Sequence, residues 1–302
     1  MKVTLDKLLV GDNPFIGVNH LSEERGREKA LQLNTYRISK VIDVAFQSGA
    51  RGMFFSSHPT MLNVLKFMQQ SNYQTPFSLY MIIPDAQSIV RKASQHGMVG
   101  LLQSMLQDLN TNSKIRALAQ IGLSAILSDP QRILGMYIDY EVSRVRGVIP
   151  KSAVLKAVFL HELMTDMISS FELSELARFF INTMVEKHHL MPGFVTRNFP
   201  KFLQFSKSQG IPLSEVLIAT PINKVGFQVN PSLEAHERAL KEVQGVANIV
   251  AMNILASGYL SLEEAVEYIL KFDQALTCAV GVSSEFHAKE TFEHLSRKFA
   301  SG

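Results

Sequence analysis

The segment that decides the fold is Ile249–Ser284, which reads IVAMNILASGYLSLEEAVEYILKFDQALTCAVGVSS. It opens with an apolar, β-branched run and ends with a second one at Cys278–Val282, and the residues between them have the spacing of an amphipathic helix. The apolar stripe of that helix consists of Leu262, Ala265, Val266, Ile269 and Leu270. Ser261, with Glu264 three residues later, forms the sequence pattern of a capping box. The segment therefore predicts one strand–helix–strand unit.

The same alternation of short apolar runs and helical spacing continues through the whole chain. Eight runs are predicted as strands: Leu8–Val10, Gly52–Phe55, Leu79–Ile83, Val158–Leu160, Phe194–Thr196, Val216–Ala219, Ile249–Ile254 and Cys278–Val282. Repeated strand–helix units predict parallel pairing in a sheet that helices cover. Eight of them favour an α/β fold of the (β/α)8 TIM-barrel type, which typically needs about 250 residues. We therefore expect residues 1–302 to form a single barrel domain.

The extra length is predicted to lie between the third and fourth strands, as a helical insertion over residues 86–156. Its helices are expected at 86–96, 99–109, 113–127 and 130–146, the last opened by a cap at Asp129 and a first-turn proline. Ile133–Tyr140 could instead form a ninth strand. The insertion could be padding on the flank of the barrel, a lid, or an interface through which the chain forms a homo-oligomer.

A doubly wound dinucleotide-binding sheet is the competing architecture. It usually shows G-x-G-x-x-G after its first strand, whereas Gly11–Phe15 here reads GDNPF. The phosphate-loop pattern G-x-x-x-x-G-K-[ST] does not occur either. The barrel is therefore favoured.

Composition limits the partners and the compartment. The 30 basic and 27 acidic residues give a formal charge of +3, too weak and too scattered for a primary nucleic-acid binder. A single cysteine, Cys278, excludes an internal disulfide. Neither a signal peptide nor a membrane span is evident, so we expect a cytoplasmic protein without nucleic-acid or membrane partners.

Polar residues follow every predicted strand, which is where barrel enzymes place their chemistry. The residues predicted to be catalytic are His161, Asp85, Glu162 and His58. Those predicted to bind substrate are Asn13, Thr196, Arg197, Asn198, Asn223 and Lys224. Asp12, Ser56, Ser57, Thr165, Asp166 and Thr220 also fall at strand ends. Because Thr165 stands where H-E-x-x-H needs its second histidine, no zinc motif is present, although these side chains could still gather a metal in space.

The last two strand ends predict an anion site. Small residues after strands seven and eight would let backbone N–H groups approach a phosphate, and a helix predicted to begin at Glu285 would direct its dipole towards it. The predicted cofactor-binding residues are Asn253, Ser257, Gly258, Gly281, Ser283 and Ser284. These residues could equally be ordinary turn formers.

The C-terminal quarter resembles the aldo-keto reductase family. The similarity rests on Ala251–Gly258 (AMNILASG) and Val280–Ser284 (VGVSS), and more loosely on Val41–Gly49, Phe159–His161 and Gly193–Phe199. The resemblance implies a barrel that holds NADP or NAD in the loops after strands seven and eight. It also implies a catalytic Asp, Tyr, Lys and His. Only His161 matches, because Ser56–Thr60 follow strand two and Pro84–Asp85 follow strand three.

These observations leave three functions open. The first is an enzyme that acts on a small anionic or phosphate-containing molecule, an NAD(P)-linked oxidoreductase with altered catalytic residues in which His161 is the general acid or base. The second is a non-catalytic ligand-binding or regulatory barrel. The third is a metal-dependent lyase or isomerase of a phosphorylated substrate.

Overall fold

Eight parallel strands form a closed barrel in sequence order, β1 to β8, in the computed structural model. The structure describes residues 5–17, 33–84, 129–272 and 276–300. The strands are β1 Leu8–Gly11, β2 Gly52–Ser56, β3 Phe77–Ile83, β4 Ala153–Leu160, β5 Met191–Val195, β6 Leu217–Pro221, β7 Asn248–Met252 and β8 Thr277–Gly281. The (β/α)8 prediction is confirmed, and each predicted run overlaps a strand.

The helices surround this barrel. They are α1 Thr35–Gln47, α2 Pro59–Gln70, α3 Pro130–Arg146, α4 Glu162–Ser170, α5 Ser174–Asn182, α6 Phe199–Gln209, α7 Leu233–Glu242, α8 Leu262–Ile269 and α9 Glu285–Ala300. A π-helical turn, Thr183–His188, follows α5, and a 3-10 turn, Ala256–Gly258, precedes α8. The capping box of Ser261 and Glu264 is present at the start of α8. Within the described ranges, we find no helix with the length and apolar character needed to cross a bilayer.

The barrel interior is filled by side chains, as is usual for eight strands. Its apolar members include Leu9, Phe54, Tyr80, Phe159, Leu217 and Val250. The Phe54 and Phe159 rings meet edge to face at 5.0 Å. Phe159 also lies directly over Gly193, where any Cβ would overlap the ring. The strands therefore pack on a dense core, which can hold functional side chains at their ends rigidly.

The segment between β3 and β4 contains the last of its predicted helices. Helix α3 covers the predicted range 130–146, and Asp129 caps it by accepting bonds from the N–H groups of Gln131 and Arg132 at 3.0 and 3.3 Å. The ninth-strand alternative for 133–140 is therefore wrong. Strand β4 begins at Ala153, five residues before the predicted start at Val158, so the predicted insertion 86–156 overlaps the strand at 153–156. Predicted helices at 86–96, 99–109 and 113–127 lie outside the described residues, so the lid and interface hypotheses stay predictions, as does the single domain.

Candidate active site

All eight strands run in the same direction around the barrel, so their carboxyl ends meet at one mouth. The predicted site residues that the structure describes stand at or just beyond these ends. Asp85, predicted to be catalytic, lies outside the described residues.

A buried carboxylate joins the ends of β1 and β2. Asp12 is 4% exposed, and its Oδ2 accepts bonds from the Ser56 N–H at 2.8 Å and the Ser56 hydroxyl at 2.7 Å. The Asp12 carbonyl accepts the N–H of Phe15 at 2.8 Å, which begins a turn that contains Asn13. A carboxylate is thus fixed beside Asn13 at the mouth. The sequence placed Asp12 at a strand end but gave no signal of its burial.

The two predicted catalytic histidines share one local geometry. His58 caps α2 and His161 caps α4, and in each case the ring Nδ1 accepts the backbone N–H two residues later, from Thr60 or Leu163, at 3.2 Å. A ring nitrogen that accepts a bond carries no proton. In the neutral form, each ring therefore has its proton on Nε2.

Glu162 and Arg197 connect the ends of β4 and β5. The Nη2 of Arg197 forms an ion pair with Oε1 of Glu162. The Nε of Arg197 is buried and has no hydrogen-bond partner among the described residues. Since an unpaired buried donor is unfavourable, this nitrogen is suited to a ligand acceptor.

Asp166 reaches the same corner from α4, one turn beyond Glu162. It accepts bonds from the Thr196 hydroxyl at 2.5 Å and from the backbone N–H of Arg197 at 3.3 Å. Burial raises the pKa of Asp166, while those two hydrogen bonds oppose the rise. Arg197 thus lies close to two carboxylates, so the positive charge at this corner is compensated. Asp166 follows Glu162 by four residues, and in a helix this spacing places two side chains on the same face.

Thr196 and Asn198, both predicted to bind substrate, build this corner. Thr196 is fully buried, and its hydroxyl accepts the Asn198 N–H at 3.0 Å while it donates to Asp166. Asn198 caps α6 by accepting the Lys201 N–H at 3.2 Å. Their polar groups are engaged by the protein, and ligand contact by either residue stays a prediction.

The loop after β6 carries Asn223 and Lys224. Asn223 is 1% exposed and bonds to both the N–H and the carbonyl of Phe227, at 2.7 and 3.0 Å. Lys224 forms an ion pair with Glu264 at 2.5 Å. This pair, together with bonds from Ser261, lowers the pKa of Glu264 to about 2. The two cations predicted to hold an anion, Arg197 and Lys224, are therefore each paired with a glutamate.

The predicted anion loops lie side by side after β7 and β8. Ser257 and Gly258 have left-handed backbones, with φ of 62° and 89°, and a Cβ on Gly258 would meet nothing within 4 Å. Ser284 precedes α9, and its hydroxyl accepts the His287 N–H at 3.2 Å. Ser283 is half-buried beside it. The N–H groups of Ala256 and Gly258 bond to the carbonyls of Asn253 and Leu255, which leaves the helix N-terminus after Ser284 as the feature suited to an anion.

Gly281, predicted to bind cofactor, has another packing role. A Cβ at this position would stand 2.9 Å from the Cδ of Pro14. The turn after β1 therefore lies against the end of β8, and glycine is needed there because Pro14 approaches so closely. A cofactor contact through Gly281 stays a prediction.

Across residues 5–17, 33–84, 129–272 and 276–300, no three His, Cys, Asp or Glu side chains are grouped to hold a metal ion.

Comparison with known proteins identifies the fold. No family profile and no curated protein matches the chain. Two structures described as candidate aldo-keto reductases from Pseudomonas aeruginosa superpose with TM-scores of 0.60 and 0.57 at 11% and 9% identity. Each alignment covers 97% of this chain and 90% of the other. Gox0644, in its apo form, gives 0.52 at 8% identity, over 98% of this chain and 88% of its own. These likenesses show the fold, the closed eight-stranded parallel barrel that the sequence resemblance implied.

Proposed function

We propose that the chain is an NAD(P)-linked oxidoreductase that acts on a small anionic molecule at the mouth of the barrel. The observation that carries the proposal is the position of Ser257 and Gly258, with their left-handed backbones, in the turn after β7. Strand β7 pairs with β8, which leads into the Ser284-capped helix α9. Both features favour phosphate. The fold shared with aldo-keto reductases supports the same class by analogy.

The cofactor's phosphates would be held by Ser257, Gly258 and Ser284 in this proposal. The open space at Gly258 allows a ligand to approach the backbone there. When bound, the nicotinamide ring would supply or accept a hydride. The three residues after Ser284 are Glu285, Phe286 and His287, which include no lysine or arginine for a 2′-phosphate. This end of the site therefore suits NAD better than NADP.

His161 would handle the proton that accompanies hydride transfer. Its Nδ1 is occupied by the Leu163 N–H, so proton exchange would use Nε2. Imidazole is suited to this role because it titrates near neutral pH. In this assignment His161 replaces the tyrosine that the aldo-keto reductase pattern would place after β2.

Arg197 would bind the anionic group of the substrate. Its Nε is a buried donor without a partner within the described part of the chain. The ion pair to Glu162 keeps the guanidinium oriented, and a substrate carboxylate or phosphate would compete with Glu162 for it.

A non-catalytic ligand-binding barrel is the second candidate. It is favoured by the pairing of both candidate cations with glutamates and by the absence of the Asp, Tyr and Lys that the resemblance implies. This candidate predicts cofactor binding without turnover. Oxidation of bound NADH or NADPH by a carboxylate-bearing aldehyde or ketone would contradict it.

A ligand screen tests the proposal. Thermal unfolding is followed with NADH, NADPH, FMN and sugar phosphates, each at millimolar concentration. A ligand that binds only the folded protein at one hundred times its Kd stabilises it by about 2.7 kcal/mol, so a nicotinamide cofactor should raise the Tm measurably. If none of the four changes the Tm, the anion site is wrong. If only sugar phosphates do, the phosphate belongs to the substrate.

A further inference from the structure

The loop after β7 has an unusual backbone. Asn253, Ala256 and Ser257 have φ of 53°, 45° and 62°, all in the left-handed region. Residues with a side chain rarely adopt this region, and they keep it only where surrounding structure enforces it. Something next to residues 253–258 must therefore hold the loop in this shape.

The loop after β6 supplies the first contact. Asn223 Nδ2 donates to the carbonyl of Asn253 at 3.3 Å and to that of Phe227 at 3.0 Å, while its Oδ1 accepts the Phe227 N–H at 2.7 Å. The buried Asn223 side chain therefore bonds within its own loop, to Phe227, and across to Asn253 in the loop after β7.

A second bond joins the same two loops. Asn253 Nδ2 donates to Oε1 of Gln228 at 2.6 Å. Gln228 also has a left-handed backbone, with φ of 59°. The backbone bond from the Ile222 N–H to the Met252 carbonyl, at 3.0 Å, fixes the base of the pair. Asn253 is therefore held through both its carbonyl and its side chain.

We infer that Asn223 and Gln228 are positioning residues that hold 253–258 in the conformation that binds phosphate. The inference rests on the proposed function, since it concerns the same β7–β8 anion site. Asn223 and Asn253 were predicted to contact a ligand directly. Here they act by holding the loop in shape. A clamp built from one loop onto the next would preorganise the backbone of 253–258 before the ligand arrives.

Two variants and one matched control test this clamp. Gln228→Ala removes the acceptor for Asn253. Asn223→Ala removes the bond to the Asn253 carbonyl together with the two bonds to Phe227 that close the β6 loop. Asn248→Ala is the control, because Asn248 Nδ2 also donates to a loop carbonyl, Ser214, at 3.0 Å, but from the first residue of β7, away from the mouth. Inorganic pyrophosphate and NADH are the probes, titrated by calorimetry.

We expect Gln228→Ala and Asn223→Ala to weaken binding of both probes by about two- to tenfold, the range that one lost hydrogen bond can produce. Asn248→Ala should bind as the wild type does. Adding Ser257→Gly to Gln228→Ala should recover part of the affinity, because glycine adopts positive φ freely. A general loss of packing would not be rescued in this way.

Amide hydrogen exchange tests the clamp without a ligand. In Gln228→Ala, exchange at Ala256 and Gly258, whose N–H groups bond to Asn253 and Leu255, should be faster by a similar factor. Unchanged exchange together with unchanged affinity would overturn the inference. If the wild type binds neither probe while exchange still accelerates, the proposed function is wrong and the clamp holds the loop for another reason.

Discussion

The Nδ1 of His161 accepts the backbone N–H of Leu163 at 3.2 Å, so this side chain both caps helix α4 and presents its proton on Nε2. The two roles can be separated by substitution. Asparagine is a strong N-cap residue that keeps an acceptor near the Nδ1 position but cannot transfer a proton as imidazole does.

His161→Asn should therefore remove turnover and leave stability nearly unchanged. His161→Ala should remove turnover and also destabilise the protein, because losing a cap costs about 1 kcal/mol. His58→Asn makes the same change at the cap of α2, and its turnover tests the catalytic role predicted for His58. Urea unfolding and steady-state kinetics measure the two effects. Full activity in His161→Asn would exclude His161 as the proton donor.

Asp12 should be important for stability because its buried carboxylate accepts both polar groups of Ser56. Asp12→Ala would leave the partly buried N–H and hydroxyl of Ser56 without their acceptor, at a cost of about 1–3 kcal/mol. Ser56→Ala removes one bond only and should cost less. Chemical denaturation of both variants measures which one loses more unfolding free energy. A smaller loss for Asp12→Ala than for Ser56→Ala would show that the carboxylate does not hold this corner.

Glu162 competes with the proposed substrate anion for Arg197. Glu162→Gln keeps the side-chain size and removes the charge, so sulfate or a small carboxylate should bind about two- to fivefold more tightly, as expected for an ion pair worth about 0.5–1 kcal/mol. Glu172→Gln, which changes an exposed glutamate near Lys201, is the control. Isothermal titration would show the difference. Equal or weaker anion binding in Glu162→Gln would argue against a ligand at Arg197.

The stability of the protein should fall in acid because of His236. This residue on α7 is 1% exposed and lies edge to face with Phe199, and burial lowers its pKa to about 4, against opposing effects of the Pro221 backbone and Glu237. In the unfolded chain its pKa is about 6.5. A lowered folded-state pKa means that its contribution is complete above pH 6.5 and is lost as the pH falls towards 4.

The shift corresponds to about 3 kcal/mol across that window. Denaturant unfolding of the wild type and His236→Phe at a series of pH values isolates this contribution, since other groups titrate in both proteins. Below pH 6.5, the free energy of unfolding of the wild type should fall relative to that of His236→Phe. A constant difference at all pH values would mean that His236 does not titrate as proposed.

The barrel could be predicted from the sequence because its signal is repeated. Eight apolar runs, helical stripes such as the one from Leu262 to Leu270, and caps at Asp129 and Ser261 all agree, and local errors such as the start of β4 do not change the topology. Since parallel strands in a closed barrel bring their ends together, the sequence positions of His161, Arg197 and Ser257 were enough to predict a shared mouth.

The partners of the site residues could not be predicted. Pairing of Arg197 with Glu162, of Lys224 with Glu264, and of Asn253 with Gln228 depends on where loop side chains meet in space, which periodicity does not encode. The need for glycine at 281 comes from Pro14, far away in sequence. Asp85 lies outside the described residues, and the cytoplasmic location and homo-oligomer remain predictions from the sequence.

One measurement tests the cofactor site most directly: the affinity for NADH and NADPH of the wild type, Ser284→Asp and Ser232→Asp. Aspartate caps helices as serine does, so each variant should fold normally while adding one negative charge at a helix N-terminus. The wild type should bind one nicotinamide cofactor per chain, and Ser284→Asp at α9 should bind it at least about tenfold more weakly, because like charges repel at short range. Ser232→Asp at α7 should match the wild type. Absence of cofactor binding in the wild type, or equal binding in Ser284→Asp, would contradict a phosphate site between β7 and β8.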